Sequence, residues 1–331
     1  MTRSRAARTV ASPAAQPSSS GEVLCVGEVL WDSLPEGLFL GGAPFNVACH
    51  LRATGTRVSM VSRVGNDRLG DEVLRRANRY GVGTDLIQVD PLLPTGFVRV
   101  HVDERGNGSY EICEPVAWDA IDATETLLAR AARARAIVFG SLAQRNTATR
   151  ATIERLWKVA SHQALMVCDV NLRPPYDDLE VIRASLGMAD VVKLSDAELI
   201  RLTARFGWGD RDEREMMQGL ATMFGCTMVC ATRGSRGAAL LHDGEYSEHQ
   251  GFPAEVRDTV GAGDAFLAVL LAGLLAGSSD AELLQHANLM GAYVVTQFGA
   301  LPADQSAAIA PPEAPSPPVP ERARQVKRRG R

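Results

Sequence analysis

The chain has 331 residues, 46% hydrophobic and 22% charged, with a formal net charge of −4. That is the make-up of an ordinary soluble globular protein, long enough for one large core or two small ones. The two ends are each net positive, by three charges over residues 1–21 and three over 302–331, which leaves the middle at −10. An acidic core argues against nucleic acid as the main partner.

Residues 1–21 are rich in Ser, Ala and Arg and carry no acid before Glu22. They faintly resemble an organelle transit peptide, but lack the apolar centre of a secretory signal. A disordered extension is the expectation. No run of about 18 apolar residues occurs anywhere in the chain, so no membrane partner is expected.

From Val23 onward, short apolar runs alternate with helical stretches. The expected strands are Val23–Val26, Val58–Val64, Ala136–Phe139, Leu165–Val170, Val191–Leu194 and Met228–Ala231. Helices are expected near Phe45–Thr54, Asp71–Tyr80, Thr124–Arg133, Ala148–Ser161, Asp196–Arg205 and Glu213–Phe224. Strands that are apolar throughout, separated by helices, predict an α/β fold whose mostly parallel sheet is covered on both faces. A closed (β/α)8 barrel would give the same alternation.

Thr95 to Pro115 breaks the pattern. It alternates with period two around Arg105-Gly-Asn-Gly108, the sign of a β-hairpin. Leu34–Leu40 is a candidate to pair with it.

The most telling segment is Asp258-Thr-Val-Gly-Ala-Gly-Asp264, which runs directly into an apolar helix from Ala265 to Ala276. A glycine turn feeding a helix N-terminus gathers unpaired N–H groups and the positive end of the dipole, a ready anion site. Asp264 beside that anion has one chemical use: taking the proton of a nucleophile that attacks a phosphoryl group. It could equally be a plain helix cap. A second glycine loop, Gly41-Gly-Ala-Pro-Phe-Asn46, stands about 220 residues earlier and also enters a helix. Two such loops suggest two substrates meeting in one cleft.

Cysteines 25, 49, 113, 168, 226 and 230 show no disulfide framework or zinc spacing, which points to a reducing, cytoplasmic compartment. Past residue 303 come Pro311, Pro312, Pro315, Pro317, Pro318 and Pro320, then a basic stretch from Arg322 to Arg331. An extended, solvated tail over 304–331 is expected, although such a tail could touch an anionic surface.

Taken together, Gly27-Glu-Val-Leu-Trp-Asp32, the GGAPFN loop, Ser62–Gly70, Phe139–Leu142, Asp169-Val-Asn-Leu-Arg173, Val192–Glu198, Thr232–Gly237 and the DTVGAGD run resemble the ribokinase-like (PfkB) carbohydrate kinases, most closely the fructokinase branch. They occur in the family's order and spacing. The resemblance implies an open three-layer sandwich over residues 22–303, with a small β-lid near 32–40 and 95–117. It also implies ATP-dependent phosphorylation of a sugar, most closely D-fructose to fructose 6-phosphate. Kinases of another sugar, a sugar acid or a nucleoside share the fold, and a non-catalytic sugar-binding regulator is an alternative of another class.

By the same resemblance, Asp264 is the general base, and the amides of Gly261, Ala262, Gly263 and Asp264 hold the transferred phosphoryl group. Asp32, Gly41, Gly42 and Asn46 grip the sugar. Arg173 follows the fructokinase pattern and could reach phosphate or form a surface ion pair. Ser195, Thr232, Gly234, Gly237 and Asn288 fall in the nucleotide site, and Glu198 organises Mg²⁺ through water. Ser195 departs from the asparagine that the family has there. Asp258 and the carbonyls of Val260, Val294, Gln297 and Gly299 match a potassium loop, but a relative's serine ligand falls at Ala303. A homodimer joined through the lids is also implied.

Overall fold

The structure is a computed structural model that describes residues 21–34, 37–102, 108–209 and 211–301, without the side chains of residues 34, 100–102 and 108–110. The expected N-terminal extension and Pro-rich tail therefore lie outside the described residues, as does Ala303. In chain order the first half runs β1 (Val23–Val26), β2 (Leu30–Leu34), β3 (Gly37–Gly41), α1 (Ala43–Ala53), β4 (Val58–Gly65), α2 (Arg68–Arg79) and β5 (Ile87–Asp90). Then come β6 (Gly96–Val102), β7 (Gly108–Ile112), α3 (Glu125–Ala131), β8 (Ala136–Gly140), α4 (Thr147–Val159) and β9 (Leu165–Asp169). The rest is α5 (Leu179–Met188), β10 (Val191–Ser195), α6 (Asp196–Arg205), α7 (Glu213–Phe224), β11 (Met228–Thr232), β12 (Ala238–His242), β13 (Glu245–His249), α8 (Ala262–Ala276) and α9 (Asp280–Val294).

Nine strands form one sheet in the order β13-β12-β11-β10-β9-β8-β1-β4-β5, parallel except for the antiparallel edge made by β12 and β13. The sheet is open, which settles the choice against a closed barrel. Its apolar strands feed two cores. Leu24 and Val26 of β1 face one, with Ile153, Leu156, Ile182, Leu186 and Leu220 of α4, α5 and α7. Val23 and Cys25 face the other, with Phe45 of α1, Leu267 and Leu271 of α8, and Leu284 of α9. Alternate side chains buried on opposite faces are what a strand does when helices cover both sides.

A second, four-stranded sheet has the order β3-β2-β6-β7. The expected hairpin is there as β6 and β7, but its partner is not Leu34–Leu40. Leu30–Leu34 pairs with β6 in parallel, and Gly37–Gly41 pairs with β2 from the outside. The edge strand is thus continuous with the GGAPFN loop, which ties the lid to α1.

Strand order reverses between β1 and β8: the chain leaves β1 for β4 and β5 on one side, and later fills β9 to β11 on the other. Crevices at such reversals, beyond the carboxyl ends of the strands, are where open α/β sheets bind ligands. The segments after β1, β8, β9, β10 and β11 supply Glu28, Ser141, Asn171, Asp196 and Arg233 to that edge.

Candidate active site

Two helices packed on the same face of the sheet bring their N-terminal ends together at this edge. α1 starts at Ala43, with Pro44 in its first turn, where a missing N–H costs nothing. Gly42 precedes it with φ 110°, and a β-carbon there would lie 2.5 Å from the carbonyl oxygen of Glu28. Gly41 lies against Asp32, whose Oδ2 would stand 3.0 Å from an added β-carbon. The Gly41–Gly42 loop is therefore pressed onto Glu28 in the β1–β2 connection and onto Asp32 inside β2.

α8 begins earlier than its apolar run, at Ala262, with Gly261 in the left-handed region at φ 79°. Gly261 also packs on Ala300, whose Cα would be 2.6 Å from an added β-carbon. The first helical bond runs from the amide of Ala265 to the carbonyl of Gly261. The amides of Gly263 and Asp264 consequently have no helical acceptor, as an anion site requires, while that of Ala262 donates to the carbonyl of Thr259 at 3.4 Å. Asp264 is the third helical residue and is 9% exposed.

The two glycine loops meet directly. Asn46 Nδ2 donates to Asp264 Oδ2 at 2.8 Å, across 218 residues of chain. Asn46 Oδ1 is buried and has no hydrogen-bond partner among the described residues. Below them His50 bonds the carbonyl of Ala300 at 2.9 Å, fastening α1 to the segment that backs Gly261.

Charge around this junction is dense. Burial pushes Asp32 up to about 6, with Arg173 opposing the shift. Burial also pushes Glu28 up to about 7; its own backbone amide and Arg173 pull it down, and Asp264 adds to the rise. Glu28 is 3% exposed, and its Oε2 has no partner among the described residues. Glu28 was not a candidate from the sequence, although it directly follows Gly27 at the end of β1. Arg173 is exposed; its Nη1 donates to the carbonyl of Leu172 at 3.2 Å, and its charge acts on both Asp32 and Glu28.

Under the lid, Arg145 donates to both carboxylate oxygens of Asp119, at 2.7 and 2.8 Å. It is stacked between Trp118 and Tyr176, 4.1 and 4.8 Å from their ring centres. Ala117–Asp119 thus forms a rigid wall, and Arg145 is its missing partner in the sequence-based account.

Ser195 and Thr232, expected in the nucleotide site, are register partners at the ends of β10 and β11. Ser195 caps α6 in a reciprocal box with Glu198. Glu198 Oε2 accepts from the amide and hydroxyl of Ser195 at 2.7 and 2.9 Å, and Oε1 from the amide of Leu172 at 2.6 Å. The pair therefore also fastens the loop after β9 to α6. Gly234 faces open space, whereas Gly237 is held by packing: a β-carbon there would lie 1.9 Å from the carbonyl oxygen of His249. Asn288 is buried on α9 and spends its amide on the carbonyl of Leu284 at 2.7 Å.

Asp258 ties its own loop together, accepting from the amides of Val260 at 3.0 Å and Gly299 at 2.9 Å. The carbonyl of Val294 accepts from the amide of Gln297 at 2.9 Å. The loop is compact, but part of its proposed potassium-binding capacity is already used internally.

Residues 37–306 match the model of the pfkB family of carbohydrate kinases. The chain belongs to that family. It is a sugar kinase, a phosphotransferase with an alcohol group as acceptor. It is 29% identical over 299 residues to a putative sugar kinase of Pyrococcus horikoshii, covering 85% of this chain and 92% of that one. It is 30% identical to a fructokinase of Escherichia coli, covering 86% and 96% respectively. The structure of a fructokinase from Vibrio cholerae, in a fructose-, ADP- and calcium-bound form, superposes with a TM-score of 0.70 at 26% identity, covering 87% and 96%.

The raised Asp32 carboxyl gives a pH dependence with a definite sign. In the sugar-binding role expected of Asp32, the ionised form would accept hydroxyl hydrogens, and that form declines as pH falls through about 6. The sugar KM should rise about tenfold per pH unit below that value. Initial rates from pH 5 to 8 check this. A sugar KM that stays flat over that range would remove Asp32 from acceptor binding.

Proposed function

We propose that the chain transfers the γ-phosphoryl group of ATP to the 6-hydroxyl of D-fructose. The Asn46–Asp264 bond carries this reading, because it puts the acceptor loop beside the carboxylate at the mouth of α8. The sugar hydroxyl gives its proton to Asp264 as its oxygen bonds to the γ-phosphorus. The bond from that phosphorus to the bridging oxygen breaks, and ADP leaves. The amides of Gly261, Ala262, Gly263 and Asp264 take up charge on the moving group. Asp32, Gly41, Gly42, Asn46 and Arg173 hold the sugar, while Ser195, Thr232, Gly234, Gly237 and Asn288 line the nucleotide side.

Among the described residues, no group of three or more His, Cys, Asp or Glu side chains is placed to hold a metal ion. Magnesium would accordingly be bound mostly by phosphate and water, with half-exposed Glu198 able to accept from its waters. It would neutralise phosphate charge there. Potassium at Asp258, Val260, Val294, Gln297 and Gly299 is part of the same proposal, testable by replacing KCl with tetramethylammonium chloride. Among the described residues, no helix is long and apolar enough to cross a membrane. The proposed location is the cytoplasm.

A panel of sugars, sugar acids and nucleosides with ATP, followed by ADP release, tests the acceptor. D-Fructose should give the highest kcat/KM. A sugar acid or nucleoside that exceeds it would replace fructose. The lid strand β6 is further proposed to join two subunits. Val100→Asp should weaken the dimer and raise the sugar KM together, and light scattering showing a fully active monomer at micromolar concentration would rule that out.

A further inference from the structure

Lys193 and Asp169 are neighbours on β10 and β9, and the ammonium donates to both carboxylate oxygens at 3.0 and 3.2 Å. Their side chains are 8% and 5% exposed. A buried ion pair of this kind is weak evidence of stability, since an apolar pair of equal volume often does as well. Its position suggests a different use. A β-carbon on Gly263 would lie 2.9 Å from Lys193 Nζ and 3.7 Å from Cε. Gly263 is the second residue of α8, inside the helix, where the backbone conformation itself does not ask for glycine. The end of the Lys193 side chain lies against it, so that a side chain there would have to displace the ammonium.

The ammonium thus stands against the backbone whose amides open α8. Besides Asp169, Asp264 and Glu198 act on it electrostatically. Without it, three carboxylates would surround the place where a phosphate chain has to enter.

We propose that Lys193 is a fixed cation built into the wall of the α8 anion hole, held by Asp169, which offsets negative charge on the phosphoryl group and the nucleotide. It acts through its field across Gly263 and makes no contact with the sugar. In a water-poor site a unit charge at such range is worth far more than in solvent. This inference rests on the assignment of the α8 N-terminus as the phosphoryl site.

The test compares Asp169→Asn, which keeps the ammonium, with Lys193→Met/Asp169→Asn, which removes both charges and leaves none buried alone. The double variant should lose about a further hundredfold in kcat/KM for ATP, while the sugar KM stays within about threefold. A structural defect would move both substrates. Equal kcat/KM for ATP in the two variants would overturn the proposal. Gly263→Ala gives a second measure if the double variant does not fold: it should push the ammonium aside and lower kcat/KM for ATP about tenfold. An unchanged value there would equally overturn the proposal. Asp264→Asn separates the two levels. If it is inactive while the lysine variants are unaffected, only this inference fails; if it turns over normally, the phosphoryl-site assignment itself fails.

Discussion

Asp264→Asn should lower kcat by several orders of magnitude and leave sugar affinity within a few-fold. The exchange keeps shape and position at the third residue of α8, and its amide can still bond to Asn46 after a flip. What it removes is proton acceptance, which matters only as the hydroxyl attacks. Loss of an interaction made in the transition state falls on kcat and kcat/KM together, without a matching rise in KM. Steady-state kinetics with both substrates varied would check this. Turnover near wild type would mean that Asp264 is only a buried helix residue.

Asp32→Ala should act on the other side of the reaction. Asp32 lies on β2 of the lid sheet, half-buried, with Gly41 against its carboxylate. Loss of a hydrogen bond to a charged group costs about 1.5–3 kcal/mol, or about ten- to a hundredfold in sugar affinity. The KM for ATP should hardly move. A change in ATP affinity with sugar affinity intact would place Asp32 on the nucleotide side instead.

Much of this was legible because it is local. β1 falls on Val23–Val26 as expected, and α6 and α7 match at both ends, since Ser195 and Asp212 close capping boxes that end the preceding segment. The glycine loops were legible for the same reason: a bare turn entering an apolar helix is written in about ten consecutive residues. α1 and α8 start earlier than their apolar periodicity, because Pro44 of α1 and Gly263 and Asp264 of α8 belong to their first turns and carry no apolar signal. β5, β12, β13, α5 and α9 escaped the sequence-based account. β13 is a half-exposed edge strand without an apolar run, and β12 owes its place to pairing with β11.

Across the site, the residues that escaped are those whose meaning lies in distant partners. Lys193 reads as one charge in an apolar strand until Asp169 and Gly263 are beside it. Arg145 reads as a helix-end cation until Asp119, Trp118 and Tyr176 enclose it. Even the glycines changed meaning. Gly237, expected to serve nucleotide, has a packing reason as well, since the backbone at His249 excludes a side chain there. Gly263, expected to bare its amide, also lies against the end of the Lys193 side chain.

The central claim is that the two glycine loops form one site in which a sugar hydroxyl attacks ATP. Stoichiometry measures it most directly: ADP and sugar phosphate quantified together, with fructose present and absent. One ADP for each fructose 6-phosphate, and almost no ADP without sugar, is the predicted result. ADP release that ignores the sugar, or sugar binding with no transfer at all, would contradict it.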